Sequence, residues 1–339
     1  MKDLIEILEE ESAKLRILRP RLFRYETMIG FITGLYHGRG YPLEKDPHNP
    51  KGSIGAFAQK NHYRILVHKL KALLRSLESK GHLQKGIGRI YCNSRFPEKS
   101  FALASGFGVR GKNSLVIVPT LGTFLVLGGV LFTSPSTPSE WMKIEAGDLP
   151  DIGGIRRRKF LPEEEEFPLC GSCKACQEAC PTGALEQPGL VDTNRCLQAY
   201  ASRPCSVPEG ISAKWGTLFY GCDVCQIVCP HNTLCVSVSG TPEKWGFLGG
   251  GIELGKVLEI PDTELRKGLF RHSVLDIAWI TPHTLKRNAL LALSNQPVSF
   301  DWINPRWHLL EKYGNSPDPI LRSAAEYTMK RIRNKITYI

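Results

Sequence analysis

Cys170-Gly-Ser-Cys173-Lys-Ala-Cys176-Gln-Glu-Ala-Cys180-Pro181 sets how the middle of this chain folds. Cys222-Asp-Val-Cys225-Gln-Ile-Val-Cys229-Pro230 completes it, with Cys196 alone between the two runs. The first run has the C-x2-C-x2-C-x3-C-P spacing of bacterial ferredoxin-type iron–sulfur sites. Three thiolates so close in sequence can wrap three corners of one cubane. The fourth cysteine, carried away by its proline, ligates the other cluster. On that rule Cys170, Cys173, Cys176 and Cys229 hold a first 4Fe–4S cluster, while Cys196, Cys222, Cys225 and Cys180 hold a second. Zinc and disulfides are the competing uses of these residues. A zinc ribbon pairs C-x2-C knuckles and needs neither a triplet nor a closing Cys-Pro. Disulfides are disfavoured by an odd total of 11 cysteines and by a first stretch that does not read as an export signal. Cys92, Cys205 and Cys235 fall outside the pattern and read by default as small buried apolar side chains.

Beyond these runs, the 339 residues are enough for two or three domains with a real core. A hydrophobic content of 42% and a charged content of 23% are ordinary for a globular protein. The net charge of +11 is less ordinary and favours a polyanion or an acidic protein partner. Met1–Lys14 mixes acidic with apolar residues like an amphipathic helix and lacks the basic start of a signal peptide. The expected location is therefore the reducing cytoplasm. Leu115–Phe132 is nearly all apolar, but Pro119, Gly122, Gly128 and Gly129 interrupt it. A membrane helix needs about 20 uninterrupted apolar residues. The stretch reads instead as two buried strands joined by a turn at Thr120–Gly122, and no membrane partner is expected.

In chain order, Gly30–Gly55 is rich in Gly, Pro and His and reads as irregular. Gln59–Lys80 is an amphipathic helix, with Ile65, Leu66, Leu70, Leu73, Leu74 and Leu77 on one face and Gly81 placed to end it. Lys60, Arg64, Lys69, Lys71 and Arg75 form its other face, best read as solvated. Residues 88–93 read as a short strand and residues 98–104, after Pro97, as a helix. That helix runs into Gly106-Phe-Gly108-Val-Arg-Gly111-Lys112-Asn113, a poor dinucleotide fingerprint because its glycines follow a helix and precede a strand. Residues 135–167 read as a linker with opposed charge blocks. From Pro261 the pattern becomes short helices: His283–Ser294, Trp302–Lys312 and Ile320–Lys335. Residues 261–339 hold twelve Lys or Arg against seven Asp or Glu, and Lys286, Arg287, Arg306, Lys330, Arg331 and Arg333 could face a phosphate backbone. A helical cap over the cluster region is the alternative use of this tail.

The order of these features resembles the epoxyqueuosine reductase family, which is cobalamin-dependent and related to reductive dehalogenases. The resemblance is carried by the Gly-Lys-Asn loop, Leu127-Gly128, Cys170–Pro181, Asp192-x-x-Arg195-Cys196, Tyr220–Pro230 and Arg287-Asn288-Ala289, and it covers about residues 59–339. It implies an α+β protein in three parts. These are a mixed α/β corrinoid-binding-type domain over 1–150, a ferredoxin-like domain with two 4Fe–4S clusters over 160–240, and a helical, HEAT-like tail over 250–339. It also implies an oxidoreductase in which an unidentified electron donor feeds both clusters. These pass electrons to cobalamin, and the epoxide of epoxyqueuosine in tRNA is reduced to the alkene of queuosine. The tail would help to hold the tRNA. Lys112, Val116 and Leu127 would lie along the corrinoid, with Cys222 and Asp223 approaching from the cluster side. The family's proton-donating Asp, in a Val-Asp-Ser/Thr-x-Pro segment, falls at Cys92 here, and Glu98 is the nearest carboxylate after it. The family's Asp-Tyr-His-Lys segment appears as Asn61-His62-Tyr63-Arg64, its loop Trp is Val109, and the part before residue 59 is shorter than the family's. Two other functions fit the same motifs: a divergent paralogue that reduces another substrate, and a two-cluster electron-transfer protein without corrinoid.

Overall fold

Phe31, Ile32, Val130 and Leu131 expose no surface at all, and they lie on neighbouring strands whose glycines let other groups close in. The computed structural model describes residues 4–26, 28–132, 149–151, 167–232 and 246–336. These form two compact units, each built from separated stretches of chain. The first takes the described residues of Met1–Gly38, His62–Lys174 and Cys229–Val236. The second takes those of Arg39–Asn61, Ala175–Val228 and Ser237–Ile339. Most of the expected linker, and Cys235, lie outside the described residues.

The first unit opens with α1 (Leu4–Lys14), β1 (Arg21–Tyr25) and β2 (Met28–Tyr36). After β3 (Lys51–Ile54), which belongs to the second unit, it continues with α2 (His62–Ser79), β4 (Gly88–Cys92) and α3 (Glu98–Ala104). The short strands β5 (Val109–Arg110) and β6 (Val116–Ile117) and the long β7 (Leu125–Phe132) complete it. The main sheet has the order β1-β2-β7-β4, with every neighbouring pair antiparallel. Leu66, Leu70, Leu73 and Leu77 of α2 are wholly buried in a core with Phe31 and Val130, and a second core gathers Phe23, Tyr91, Phe101 and Leu131. Gly81, at φ +73, ends the helix α2 as its position predicts.

The strand β2 corrects the expectation that Gly30–Gly55 is irregular. Gly30 and Gly34 are contact points and not turns, since a side-chain carbon on Gly30 would stand 2.6 Å from Leu131 Cδ2 and 2.8 Å from the Val130 carbonyl. Leu115–Phe132 folds as two strands with a turn between them, where Thr120 and Gly122 take φ of +68 and +80. Gly129 leaves room for Tyr91, whose hydroxyl crosses β7 to donate to the Phe31 carbonyl at 2.8 Å. Among the described residues, no helix is long and apolar enough to cross a membrane.

In the second unit β3 lies between β8 (Leu218–Tyr220), which it meets parallel, and β9 (Gly251–Glu253), which it meets antiparallel. The cysteine-rich segment supplies α4 (Ala175–Glu178), α5 (Leu197–Ser202), α6 (Glu209–Ser212) and α7 (Val224–Ile227). The tail follows as α8 (Leu254–Glu259), α9 (Asp262–Glu264), α10 (Pro282–Ser294), α11 (Phe300–Ile303), α12 (Trp307–Gly314) and α13 (Pro319–Ile336). Thr281 caps α10 by accepting from the Thr284 amide at 3.1 Å, and Pro282 takes the first turn, where its missing N–H costs nothing. Every residue of α10 from Thr284 to Ser294 is buried, so the helix lies at the centre of its unit.

Candidate functional site

Short elements joined by tight turns bring Cys180, Cys196, Cys222 and Cys225 within electrostatic reach of one another in the second unit, with Cys176 beside Cys225. Cys196 is the residue before α5, and Cys225 lies in α7, which packs on α4. Cys222 leaves β8 through Gly221, whose φ is +89. A side-chain carbon on Gly55 would stand 2.2 Å from the Gly221 carbonyl, so both glycines are needed for the end of β3 to touch this turn. Burial pushes the Cys222 thiol up to about 12 and the Cys225 thiol further, with neighbouring thiols adding to both. The Val224 amide opposes this on Cys222, and the Ala184 amide donates to Cys180 Sγ at 3.3 Å.

Buried thiols that resist ionisation are poor ligands until a cation arrives, and a coordinated thiol is deprotonated outright. Such a group, with backbone N–H donors aimed at sulfur, fits an iron–sulfur cluster, whose potential those hydrogen bonds tune. No three His, Cys, Asp or Glu side chains among the described residues converge on a single ion. A cubane does not ask them to, since each of its irons takes its own thiolate.

In the first unit Cys170, Cys173 and Cys229 are fixed by the backbone around them. The Cys173 amide donates to the Cys170 carbonyl at 2.8 Å. His231, two residues after Cys229, donates from Nε2 to the Leu169 carbonyl at 2.8 Å. Asn232 clasps Thr123, accepting from its amide at 2.8 Å and donating to its hydroxyl at 2.9 Å. Lys112 stands at the tip of the β5–β6 hairpin. Its Nζ donates to the Gly171 carbonyl at 2.5 Å and to the Cys173 carbonyl at 3.1 Å.

The other residues assigned by resemblance are placed as follows. Val116 is buried in the core with Phe101 and Tyr91, and Leu127 packs against it half-buried. A corrinoid carries its cobalt in its own macrocycle and asks the protein for walls and not for metal ligands. The half-buried Leu127 offers such a wall, whereas Val116, only 5% exposed, is taken up by the core. In the second unit the Asp223 carboxylate accepts from the Ala56 amide and from Gln226 Nε2 at 2.9 Å, and burial raises it to about 6.

Cys92 ends β4, and its thiol donates to the Leu127 carbonyl at 3.3 Å, with the Tyr63 carbonyl 3.9 Å away. Burial and the nearby Glu98 charge push it up to about 12. Glu98 Oε1 accepts from the Ser94 amide at 2.8 Å and from its hydroxyl at 2.9 Å, which turns the carboxylate back over the loop that follows Cys92.

The tail corrects the sequence reading of its cations. Arg287 exposes nothing and cannot face a phosphate. Its guanidinium donates to the carbonyls of Tyr200 at 2.6 Å, Arg203 at 2.8 Å and Cys205, and to Asn288 Oδ1. Asn288 donates in turn to the carbonyls of Ala201 and Phe219, both at 2.9 Å. The pair therefore adds donors at the C-terminus of α5, where the Arg203 amide already reaches the Tyr200 carbonyl, and ties the helix to β8. Cys196 precedes that helix and Cys222 follows that strand. Lys286 is paired with Asp262 at 2.7 Å, and Arg306 with Glu259 at 2.8 Å. Lys330 and Arg333 stay on the surface. Sequence reasoning missed these staples because a buried arginine that bonds only carbonyls leaves no charge pattern to read.

Residues 169–232 match the family model described as a 4Fe-4S double cluster binding domain. The similar curated proteins are epoxyqueuosine reductases. That of Bacillus subtilis (strain 168) is 27% identical over 278 residues, which cover 80% of this chain and 62% of the relative. That of Prochlorococcus marinus is 30% identical over 229 residues, 66% and 65% of the two chains. That of Bacillus anthracis is 28% identical over 237 residues, 69% and 54%. The chain thus spans 54% to 65% of the length of these relatives. Solved structures share the fold. The epoxyqueuosine reductase of Bacillus subtilis, with its catalytic aspartate loop swung out of the active site, superposes with a TM-score of 0.68 at 24% identity, over 90% of this chain and 73% of that one. An epoxyqueuosine reductase with an epoxyqueuosine-modified tRNA-Tyr stem loop gives 0.68 at 23% identity, again over 90% and 73%. The enzyme of Streptococcus thermophilus gives 0.72 at 19%, over 98% and 91%.

Proposed function

We propose that the chain is a divergent relative of the epoxyqueuosine reductases, a two-cluster iron–sulfur oxidoreductase that reduces the epoxide of epoxyqueuosine in tRNA to give queuosine. Cys170, Cys173, Cys176 and Cys229 hold one 4Fe–4S cluster; Cys180, Cys196, Cys222 and Cys225 hold the other. Residues 1–150 bind cobalamin, with Lys112, Val116 and Leu127 along it and Cys222 and Asp223 on the cluster side. Residues 160–240 carry the electrons, and the HEAT-like tail, 250–339, holds the tRNA in the cytoplasm. Two electrons and two protons enter, both epoxide C–O bonds break, and water leaves. Cobalamin held along Lys112 and Leu127 would supply a low-valent, nucleophilic cobalt for opening the epoxide.

Cys92 keeps its proton throughout the neutral range and releases it only to a strong base. An alkoxide, about as basic as hydroxide, is such a base, and opening an epoxide generates one. The observation that carries this reading is the group of Cys180, Cys196, Cys222 and Cys225, each half-buried, with backbone amides on two of its sulfurs. A second reading, a two-cluster electron carrier without corrinoid, draws support from Lys112 and Val116 being engaged inside the first unit.

The test is anaerobic assembly with iron and sulfide, addition of cobalamin, desalting, and incubation with epoxyqueuosine-containing tRNA and a chemical reductant. Retained cobalamin and queuosine among the nucleosides are expected. A two-cluster protein that retains no cobalamin leaves the electron carrier, and a colourless or zinc-bound protein overturns both readings.

A further inference from the structure

The glycine-rich loop before β6 is tightly built around Lys112. The Gly111 amide donates to the Leu115 carbonyl and the Ser114 amide to the Gly111 carbonyl, both at 2.9 Å. Asn113 is buried and accepts from the Leu115 amide at 3.2 Å. Gly111 has no room for a side chain, since a carbon there would stand 2.7 Å from Asn113 Oδ1. A hairpin this constrained holds the lysine at its tip in one place. The ammonium of Lys112 reaches the carbonyl of Gly171, between two cluster cysteines, and that of Cys173, itself a proposed cluster ligand.

We propose that the charge of Lys112 sets the reduction potential of the first cluster, the one assigned to Cys170, Cys173, Cys176 and Cys229. The inference rests on the two-cluster reading and adds a positioning residue to it. Reduction adds one negative charge to a cluster, so a fixed cation in its ligand loop stabilises the reduced form by Coulomb attraction. Lys174, next in sequence to Cys173, is exposed, and water and salt screen it. Lys112 is half-buried, and its carbonyl partners keep it in place without cancelling its charge. The glycines thus serve to deliver a cation to a metal loop and not to cradle a nucleotide.

The experiment is a dithionite titration of the full, anaerobically assembled chain, followed by electron paramagnetic resonance. The wild type should give two one-electron waves. Lys112→Gln keeps a hydrogen-bond donor and loses the charge. One wave should move to lower potential by about tenfold in its equilibrium constant, about 59 mV, with the other wave and the iron content unchanged. Lys112→Arg should return that wave toward the wild-type position. An unmoved wave in Lys112→Gln with both clusters present overturns the inference. So does loss of the same cluster in both variants alike, which would make Lys112 a loop staple. A wild-type chain that takes up no iron overturns the two-cluster reading itself and this inference with it.

Discussion

Replacing Arg287 by Met tests whether the tail is built into the cluster region or only decorated with charge. Methionine keeps much of the apolar stem but leaves the Cys205 carbonyl and Asn288 Oδ1 without the guanidinium that donates to them, whereas the Tyr200 and Arg203 carbonyls keep the amides of Arg203 and Cys205. An orphaned buried polar group costs about 1–3 kcal/mol, so two cost roughly 2–6 kcal/mol. That is a large part of the ~5–15 kcal/mol that holds a typical protein folded. With a urea slope of about 3 kcal/mol per M, even the lower figure moves the unfolding midpoint of the second unit down by about 0.7 M. The assay is urea unfolding followed by far-ultraviolet circular dichroism, with iron bound per chain after assembly as the second measurement. Iron should fall by half, because α5 and β8 carry Cys196 and Cys222 at their ends and lose a common anchor. A variant that unfolds within about 0.5 kcal/mol of the parent, a shift typical of ordinary surface substitutions, and binds tRNA with a flatter salt dependence would contradict the clasp. It would return Arg287 to the phosphate-facing role.

Other expectations follow from individual groups. The Cys92 thiol, raised from an ordinary 9.0 to about 12, should react with iodoacetamide at pH 8 about a thousandfold more slowly than a free thiol; mass spectrometry showing complete labelling of Cys92 in minutes would contradict its burial. Cys92→Asp should raise turnover and Cys92→Ala abolish it, since a partly buried carboxyl is an acid better matched to neutral pH; equal rates would remove the position from the chemistry. His37 is enclosed, and burial lowers its ring from 6.5 to about 4. The unfolded chain therefore takes up a proton near pH 6.5 that the folded one refuses until about 4. The associated stability is present above pH 6.5 and lost as pH falls toward 4, about 3 kcal/mol in all. His37→Gln should flatten that stretch of the stability profile, and an unchanged profile would place the acid sensitivity elsewhere. Reversing Lys330 and Arg333, both exposed on α13, should lower the salt slope of tRNA-hairpin binding by about 2, near 0.9 for each phosphate no longer neutralised; an unaltered slope would leave that face without a nucleic-acid role.

Periodicity and spacing carried the elements whose cause is local. α2 forms where leucines recur at three and four residues, α3 where Pro97 opens a helix, and α10 where Thr281 and Pro282 start one, because a helix is specified by neighbours along the chain. β2 was hidden because its glycines look like turn signals until the strand they face is known. A glycine opposite Val130 and Leu131 is a packing decision, and the partner lies about a hundred residues away. The same holds for charge. Lys286, Arg287 and Arg306 have the composition of a phosphate-binding face, but burial and pairing commit them to Asp262, to backbone carbonyls and to Glu259.

The double 4Fe–4S cluster domain was legible in one dimension, since cysteines at these intervals restrict which metals can be held and a motif needs no fold to be counted. Which groups surround those sulfurs was settled only by folding. The Ala184 and Val224 amides, the Lys112 ammonium on the Gly171 and Cys173 carbonyls, and the Arg287–Asn288 clasp on α5 and β8 come together through the packing of the chain. Ligand identity is a property of residues one at a time. Potential, acidity and stability depend on distances and burial, which exist only once the chain has closed on itself.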